Sequence, residues 1–345
     1  MNKGKILKIH KWWASHYGTM MAFIYFVIAL SPSPPPFLTF LWTFALFTVA
    51  SLGIGSFGQL LNDLPDISQD VRSGSQNLLA GKSIPSRFAL FGVALIVGIL
   101  PWWWLPVTPV ILALLACEYL LFAAYSLPPL RLKGRGMLGA AADALYAYVI
   151  PNTVAVLVFA RMAQTELPLW FLVPLVCWCF FFGLERIIQH QFIDELRDER
   201  EGIATFVITL GWTRAFHVLH RVLLPLEVAS LAVLIAVLGS FSIWIPVFFC
   251  VYLCLAVRDY ARRSIAGGVR LVCQSSVNVC YLAADVIVAR FVWRWLPLLG
   301  LAALLVHQPQ YLALIPIHLL LFPEPLTWFW RTAVLETRQR FAGVA

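Results

Sequence analysis

Apolar runs recur along this 345-residue chain at a length that only a lipid environment explains. Eight of them fall near 16–31, 38–61, 88–104, 108–124, 138–160, 168–186, 222–239 and 241–257, with short polar connections between them. A straight helix needs about 20 apolar residues to cross a bilayer. Beyond 257 the pattern blurs. Gln274, Asn278 and Asp285 interrupt 271–293, while His307, Gln308 and Pro309 interrupt the apolar stretch 296–321. One further span, two, or a broken one is expected there. The chain is 61% hydrophobic and only 12% charged, against about 25% charged in soluble domains. A water-soluble fold has no interior large enough for that apolar surface. The sequence therefore predicts an all-α, multi-pass integral membrane protein. Residues 1–257 form the helical core, and 258–345 add the last span or spans and a C-terminal extension.

The charge pattern orients these spans. The net charge is +8, but the basic residues sit in short groups between apolar runs. That distribution fits contact with a lipid bilayer and excludes a nucleic-acid partner. With the N-terminus placed in the cytoplasm, the connections on that side carry nineteen Lys and Arg, counting Arg186 at the membrane edge, and the opposite connections carry only Arg161. This asymmetry is what the positive-inside rule requires. A plasma or inner membrane with a cytoplasmic N-terminus follows. The basic start, MNKGKILKIHKWW, has no small-residue cleavage site after it and reads as retained.

Acidic residues cluster where an apolar chain should avoid them. Asp63, Asp66 and Asp70 form one group; Asp194, Glu195, Asp198, Glu199 and Glu201 form another. Both lie at cytoplasmic ends of spans, the second and the sixth. Four spans separate them, which predicts two related four-helix halves. In helical register Asp63, Asp66 and Asp70 share a face, as do Asp194 and Asp198; Pro65 predicts a kink in the first group. Packed carboxylates repel one another, and a hard cation removes that cost. Mg²⁺ is usually held by one or two carboxylates together with substrate phosphates, so two such patches across a cavity would grip a diphosphate. A solvated acidic loop is the other reading. Between the clusters, YSLPPLRLKGR carries Arg131, Lys133 and Arg135 on a proline-stiffened turn. Arg131 and Lys133 are natural diphosphate partners; Arg135 reads as a membrane-surface anchor.

Three stretches together resemble the UbiA family of intramembrane prenyltransferases. NDLPDISQD at 62–70 matches its N-D-x-x-D-x-x-x-D motif at every specified position. YSLPPLRLK at 125–133 is similar to its Tyr-Ser-x-Pro-Pro-x-Arg-x-Lys loop. DELRDEREGIATFVITLG at 194–211 resembles its D-x-x-x-D segment with the glycine, threonine and glycine that follow, here Gly202, Thr205 and Gly211. The likeness covers roughly 15–257. It implies about nine helices, within a range of eight to ten, around a central cavity under a cytosolic cap. It also implies Mg²⁺ as cofactor and an isoprenyl diphosphate as donor. Asn62, Asp63, Asp66 and Asp70 would hold metal on one side, Asp194 and Asp198 on the other. Arg131 and Lys133 would meet the diphosphate, Tyr125 would line the same mouth, and Arg72 is a further diphosphate candidate. One departure is Gln76-Asn77-Leu78, where many members place Arg-Pro before Leu; a cation is missing.

The implied reaction moves the isoprenyl group onto a small hydrophobic or aromatic acceptor, such as a quinone precursor, with Asp66 and Asp194 central to catalysis. His190 reads either as the base that takes the acceptor's proton or as an interfacial histidine. Asp143 either binds acceptor or pairs with a cation. A membrane terpene cyclase, which needs no acceptor, would carry the same motifs. A cation-coupled transporter would instead place its acids near the bilayer midplane. Trp102, Trp103 and Trp104 are expected in an outer aromatic belt; Phe180, Phe181 and Phe182 are better placed for the cavity, but each reads first as a core or lipid packing residue. Gly53-Ile-Gly55-Ser-Phe-Gly58 lies inside an apolar span, so it reads as close helix packing, not dinucleotide binding. The seven cysteines read as packing residues.

Overall fold

A computed structural model describes residues 16–74, 76–240, 242–266 and 288–323 of the chain. The basic N-terminal start, most of the mixed stretch 271–293 and the residues beyond 323 lie outside these. Among the described residues the chain is helical throughout and has no β-strand. In order come α1 (Gly18–Leu30), α2 (Phe37–Asp63), α3 (Ile67–Ser73), α4 (Ile84–Ile99), α5 (Pro109–Ser126), α6 (Met137–Met162) and α7 (Leu169–Glu201). Then follow α8 (Phe206–Leu210), α9 (Trp212–Gly239), α10 (Trp244–Ala266), α11 (Phe291–His307) and α12 (Leu314–Leu321). Six helices are long and apolar enough to cross a membrane: α2, α4 with its 3₁₀ extension to Trp103, α5, α6, α7 and α9. Shorter apolar helices are α1, α10 as far as Arg258, and α11.

Local chemistry sets the helix ends. Thr108 caps α5 by accepting from the Ile111 amide at 3.3 Å, with Pro109 in the first turn, where no N–H is needed. Gly202, at φ 65°, stops α7 in the left-handed conformation that glycine adopts without a Cβ clash. Pro65 breaks the helix that would otherwise join α2 and α3. α7 runs fifteen residues past the expected end of its span at 186, reaching Glu201. Its last turns are charged, and Arg197 pairs with Glu201 at 3.6 Å one turn on. Charged residues end an apolar run but do not end a helix.

Proline also shapes the interior. The π-turns Leu145–Val149, Leu219–Leu223 and Phe291–Trp295 lie in α6, α9 and α11. Each ends two residues before a proline: Pro151, Pro225 and Pro297. A proline ring collides with the carbonyl four residues back and cannot donate to it; a wider turn relieves the collision.

α1 is buried from Gly18 to Ala29 and packs against α6 and α11 at the centre of the bundle. Small residues let neighbouring helices close in. A Cβ on Gly53 would fall 2.2 Å from the Gly98 amide nitrogen, so α2 and α4 touch backbone to backbone there. Gly53→Ala should therefore lower stability by about 1–3 kcal/mol, read from denaturant unfolding in detergent. Gly92→Ala is the control: a Cβ there meets nothing within 4 Å.

Two expectations need correction. Trp103 and Trp104 face outward, 87% and 57% exposed, but Trp102 is buried. The 3₁₀ turn Leu100–Trp103 rotates successive side chains by about 120°, so consecutive tryptophans cannot share one belt. Phe180, Phe181 and Phe182 do not line the cavity, in keeping with a packing role; Phe182 stacks on Trp178 and packs edge-on against Tyr148. Of the five described cysteines only Cys179 is buried; the others sit on outward faces, where lipid rather than protein would surround them.

Candidate active site

The NDLPDISQD segment is divided by its proline. Asn62 and Asp63 end α2, Asp66 lies in the break, and Asp70 is in the first turn of α3, where its amide donates to the Asp66 carbonyl at 2.8 Å. Asp63 is buried, and its Oδ2 accepts from the Leu78 amide at 3.0 Å. Gln76 stands where the cation is missing, and the next residue, Asn77, holds the loop. Its Nδ2 donates to the Asp63 carbonyl at 2.7 Å and to Asp70 Oδ2 at 2.8 Å. Its Oδ1 accepts from the amides of Leu79 and Ala80 at 2.9 and 3.1 Å. A neutral amide thus ties the loop to the motif by hydrogen bonds, one residue after the missing cation.

Asp66 faces the basic loop. Arg131 Nη2 donates to its Oδ1 at 3.0 Å, and Lys133 Nζ donates to its Oδ2. The carboxylate is 14% exposed, the lysine 9% and the arginine 39%. Arg131 adopts φ 36°, a strained conformation for a residue with a Cβ, immediately before the 3₁₀ turn Leu132–Gly134. α6 passes directly beneath: a Cβ on Gly139 would fall 2.3 Å from the Leu132 carbonyl oxygen.

The second acidic group joins the same assembly through backbone pairing. After Gly202 the chain turns back, and the Ala204 carbonyl accepts from the Gly136 amide at 2.9 Å, making a parallel bridge between Gly136 and Thr205. The end of α7 is thereby fastened to the loop that carries Lys133. Asp198 is buried in the last turns of α7, and Asp194, half-buried one turn earlier, lies close enough to repel it. Tyr125, at the end of α5, is within electrostatic reach of Asp66, Asp143 and Asp198. The two acidic groups and the basic loop therefore meet at one end of the bundle, around Tyr125.

Two candidates stand apart. Arg72 is exposed on α3, and its Nε donates to the Ser68 carbonyl at 3.2 Å. His190 is exposed on α7, whereas Ile187 is the α7 residue that faces the cavity. Arg135 turns outward to the Pro129 carbonyl at 3.0 Å.

Below this end lies a cavity of about 410 Å³, between α1, α2, α5 and α6. Asn62 and Tyr125 stand on its wall. Phe47, Trp102, Phe122 and Tyr146 give it aromatic faces. Trp102 donates from Nε1 to the Gly98 carbonyl at 2.8 Å and packs edge-on against Phe47. The π-turn of α6 sets Tyr146 and Ala147 on the wall. Asp143 also lines it and accepts a hydrogen bond from the Tyr146 hydroxyl. Glu118, which the sequence reading passed over, is on the wall too. Its signal was present: a lone acid midway along ILALLACEYLLFAAY, where an ionisable residue marks function by default.

Among the described residues no three Asp, Glu, His or Cys side chains converge as a preformed metal cage. A Mg²⁺ that binds together with a phosphate needs only one or two protein carboxylates. Asp66 and the Asp194–Asp198 pair supply oxygen donors of that kind.

The profile of the UbiA prenyltransferase family matches residues 19–270. No individually curated protein matches the chain in sequence. Solved structures share its fold. A UbiA homologue from Archaeoglobus fulgidus bound to GPP and Mg²⁺ superposes with a TM-score of 0.56 at 14% identity, over 87% of this chain and 98% of that one. The same homologue bound to DMAPP and Mg²⁺ gives 0.54 at 14% identity, over 86% and 98%. A structure described as digeranylgeranylglyceryl phosphate synthase in membranes gives 0.53 at 16% identity, over 88% and 95%.

Proposed function

The chain belongs to the UbiA prenyltransferase family, and on that premise we propose that it transfers an isoprenyl group from an isoprenyl diphosphate to a small acceptor inside the membrane, with Mg²⁺ as cofactor. One observation carries this reading: Asp66 is clasped by Arg131 and Lys133 within electrostatic reach of Tyr125, which lines an aromatic-walled cavity. The homologue structures bound to GPP or DMAPP with Mg²⁺ support it. Asn62, Asp63, Asp66 and Asp70 are proposed for one metal position, Asp194 and Asp198 for the other. Asp63 and Asp70 also carry the loop bonds to Leu78 and Asn77. Arg72 is proposed as a further diphosphate contact and His190 as the acceptor's base; both are exposed on their helices.

Each residue has a task in the transfer. The allylic C–O bond breaks and its electron pair leaves with the diphosphate. Mg²⁺, when bound, supplies Lewis-acid neutralisation of that leaving group. Arg131 and Lys133 release Asp66 and turn to phosphate oxygens, so positive charge is already in place as negative charge develops. Tyr125 borders the same mouth. Phe122 and Tyr146 pack on each other, 4.6 Å between centroids, and line the cavity together, where the ring surfaces they present stabilise the allylic cation. The apolar walls keep out water that would quench it. The acceptor's nucleophilic atom then bonds to the allylic carbon and gives up a proton.

The six long and three shorter apolar helices support nine spans. The nineteen-to-one distribution of basic residues supports a cytoplasmic N-terminus and a cytosolic cap. The placement of one acidic group at the end of α2 and the other at the end of α7 supports two related halves.

Purified protein supplied with Mg²⁺, geranyl, farnesyl or geranylgeranyl diphosphate and a panel of phenols should release diphosphate only when an acceptor is present. EDTA should stop the release and added Mg²⁺ restore it. Release with a cyclic product and no acceptor would make the chain a terpene cyclase. No release from any donor would end both readings.

A further inference from the structure

Glu118 occupies a position that the diphosphate chemistry does not use. It lies on α5 seven residues before Tyr125, about 10 Å deeper along the helix axis. Its side chain is 5% exposed, and that exposure opens onto the cavity. Among the described residues no hydrogen-bond donor or cation pairs with it. A buried carboxyl without a partner is costly in any protein interior and more so within a membrane. The nearby carboxyl differs: Asp143 accepts from Tyr146. Glu118 therefore has no structural bond to explain its burial, and it faces the space where substrate must sit. A lone carboxyl without other converging oxygen ligands does not make an ion site.

The rest of the wall narrows what can meet it. Among the described residues no Lys or Arg lines the cavity. Its one basic side chain, His16, stacks on Tyr148 at 4.5 Å. Arg131 and Lys133 stand at the mouth, engaged with Asp66. An acceptor carrying its own carboxylate or phosphate would be buried beside Glu118 and Asp143 with no countercharge, which is strongly unfavourable. A hydroxyl suits the site, because a carboxyl oxygen accepts from an O–H in either protonation state.

We propose that Glu118 anchors the acceptor, and that this acceptor is an uncharged, hydroxyl-bearing molecule, a phenol or an alcohol without a carboxylate or phosphate. The proposal rests on the transferase reading above. It adds the acceptor's chemical class and the residue that selects it. Glu118 is a positioning residue here: it holds one hydroxyl while the bond to the allylic carbon forms at a ring carbon of a phenol or at a second hydroxyl of an alcohol, which then loses its proton.

The test uses the full chain in lipid nanodiscs and separates binding from turnover. Calorimetry without donor would compare methyl 4-hydroxybenzoate, methyl 4-methoxybenzoate and 4-hydroxybenzoate. The wild-type chain should bind the hydroxyl ester about tenfold more tightly than the methoxy ester, the cost of leaving a buried acceptor unpaired. It should bind the free acid more weakly than the hydroxyl ester. Glu118→Leu should lose the hydroxyl preference, while Glu118→Gln, which keeps an accepting oxygen, should retain most of it. In turnover with geranyl diphosphate, Glu118→Leu should raise the KM for the acceptor about tenfold and leave that for the donor unchanged. Equal binding of the hydroxyl and methoxy esters by the wild-type chain overturns the proposal, whether or not the Leu variant folds. So does a preference for the acid, or an unaltered preference in Glu118→Leu. Should the hydroxyl preference depend on Glu118 while no donor releases diphosphate, the hydroxyl site stands and the transferase reading falls.

Discussion

Asp66→Asn should lower diphosphate release by about 10³-fold, the scale of losing a preorganised electrostatic group that acts on the transition state. The variant removes a proposed metal ligand and the carboxylate that holds Arg131 and Lys133 in place. Stability should fall by about 1–3 kcal/mol. That is less than the roughly 3–5 expected for a fully buried pair, because Arg131 is 39% exposed and water can solvate it. A companion variant separates the two roles. In Asp66→Asn/Lys133→Met both buried charges are gone, so thermal stability should recover most of the loss. Activity should not recover, since the metal ligand and a diphosphate cation are both missing. Restored activity in the double variant would show that Asp66 only neutralises Lys133.

Asp194→Asn should reduce turnover on the same scale with the opposite structural consequence. Asp194 is half-buried beside the buried Asp198, one turn further along α7, and the two like charges repel. Replacing one with a neutral side chain of the same size relieves that repulsion. Stability should stay within about 0.5 kcal/mol of wild type or rise, while Mg²⁺-dependent release is lost. The measurements are a thermal melt and a metal titration of turnover. Wild-type rates in both Asp66→Asn and Asp194→Asn would remove the basis for the metal assignment. A selective loss in Asp66→Asn would confine the metal chemistry to the first motif.

Much of this site was legible in the sequence because its parts are contiguous. NDLPDISQD, YSLPPLRLK and DELRD each place their polar residues within ten positions of one another, and apolar runs fix where each stretch meets the membrane. Helical periodicity placed Asp194 and Asp198 on one face correctly. In the first motif the expected kink at Pro65 separates Asp63 from Asp66 and Asp70. Periodicity misjudged Trp102, because a helix of three residues per turn sends neighbouring side chains to different surroundings. Asn77 illustrates a further limit. The family resemblance registered a missing cation at Gln76, whereas the fold shows the neighbouring Asn77 amide binding Asp70 and the Asp63 carbonyl from across the loop.

Hydropathy and charge placement alone determined that this chain is a helical membrane protein and which helix ends carry its acids and bases. Both properties are local: transfer of apolar side chains into lipid is summed residue by residue, and the positive-inside bias is set by each short connection. Only the tertiary structure decided that Gly136 pairs with Thr205, that Lys133 reaches Asp66 across 67 positions, and that Glu118 opens onto a cavity instead of packing against a neighbour. Such contacts depend on where separate helices cross. Those crossings are fixed by close approaches such as Gly53 on Gly98 and by proline-widened turns, which involve residues far apart in the chain and leave no period to read.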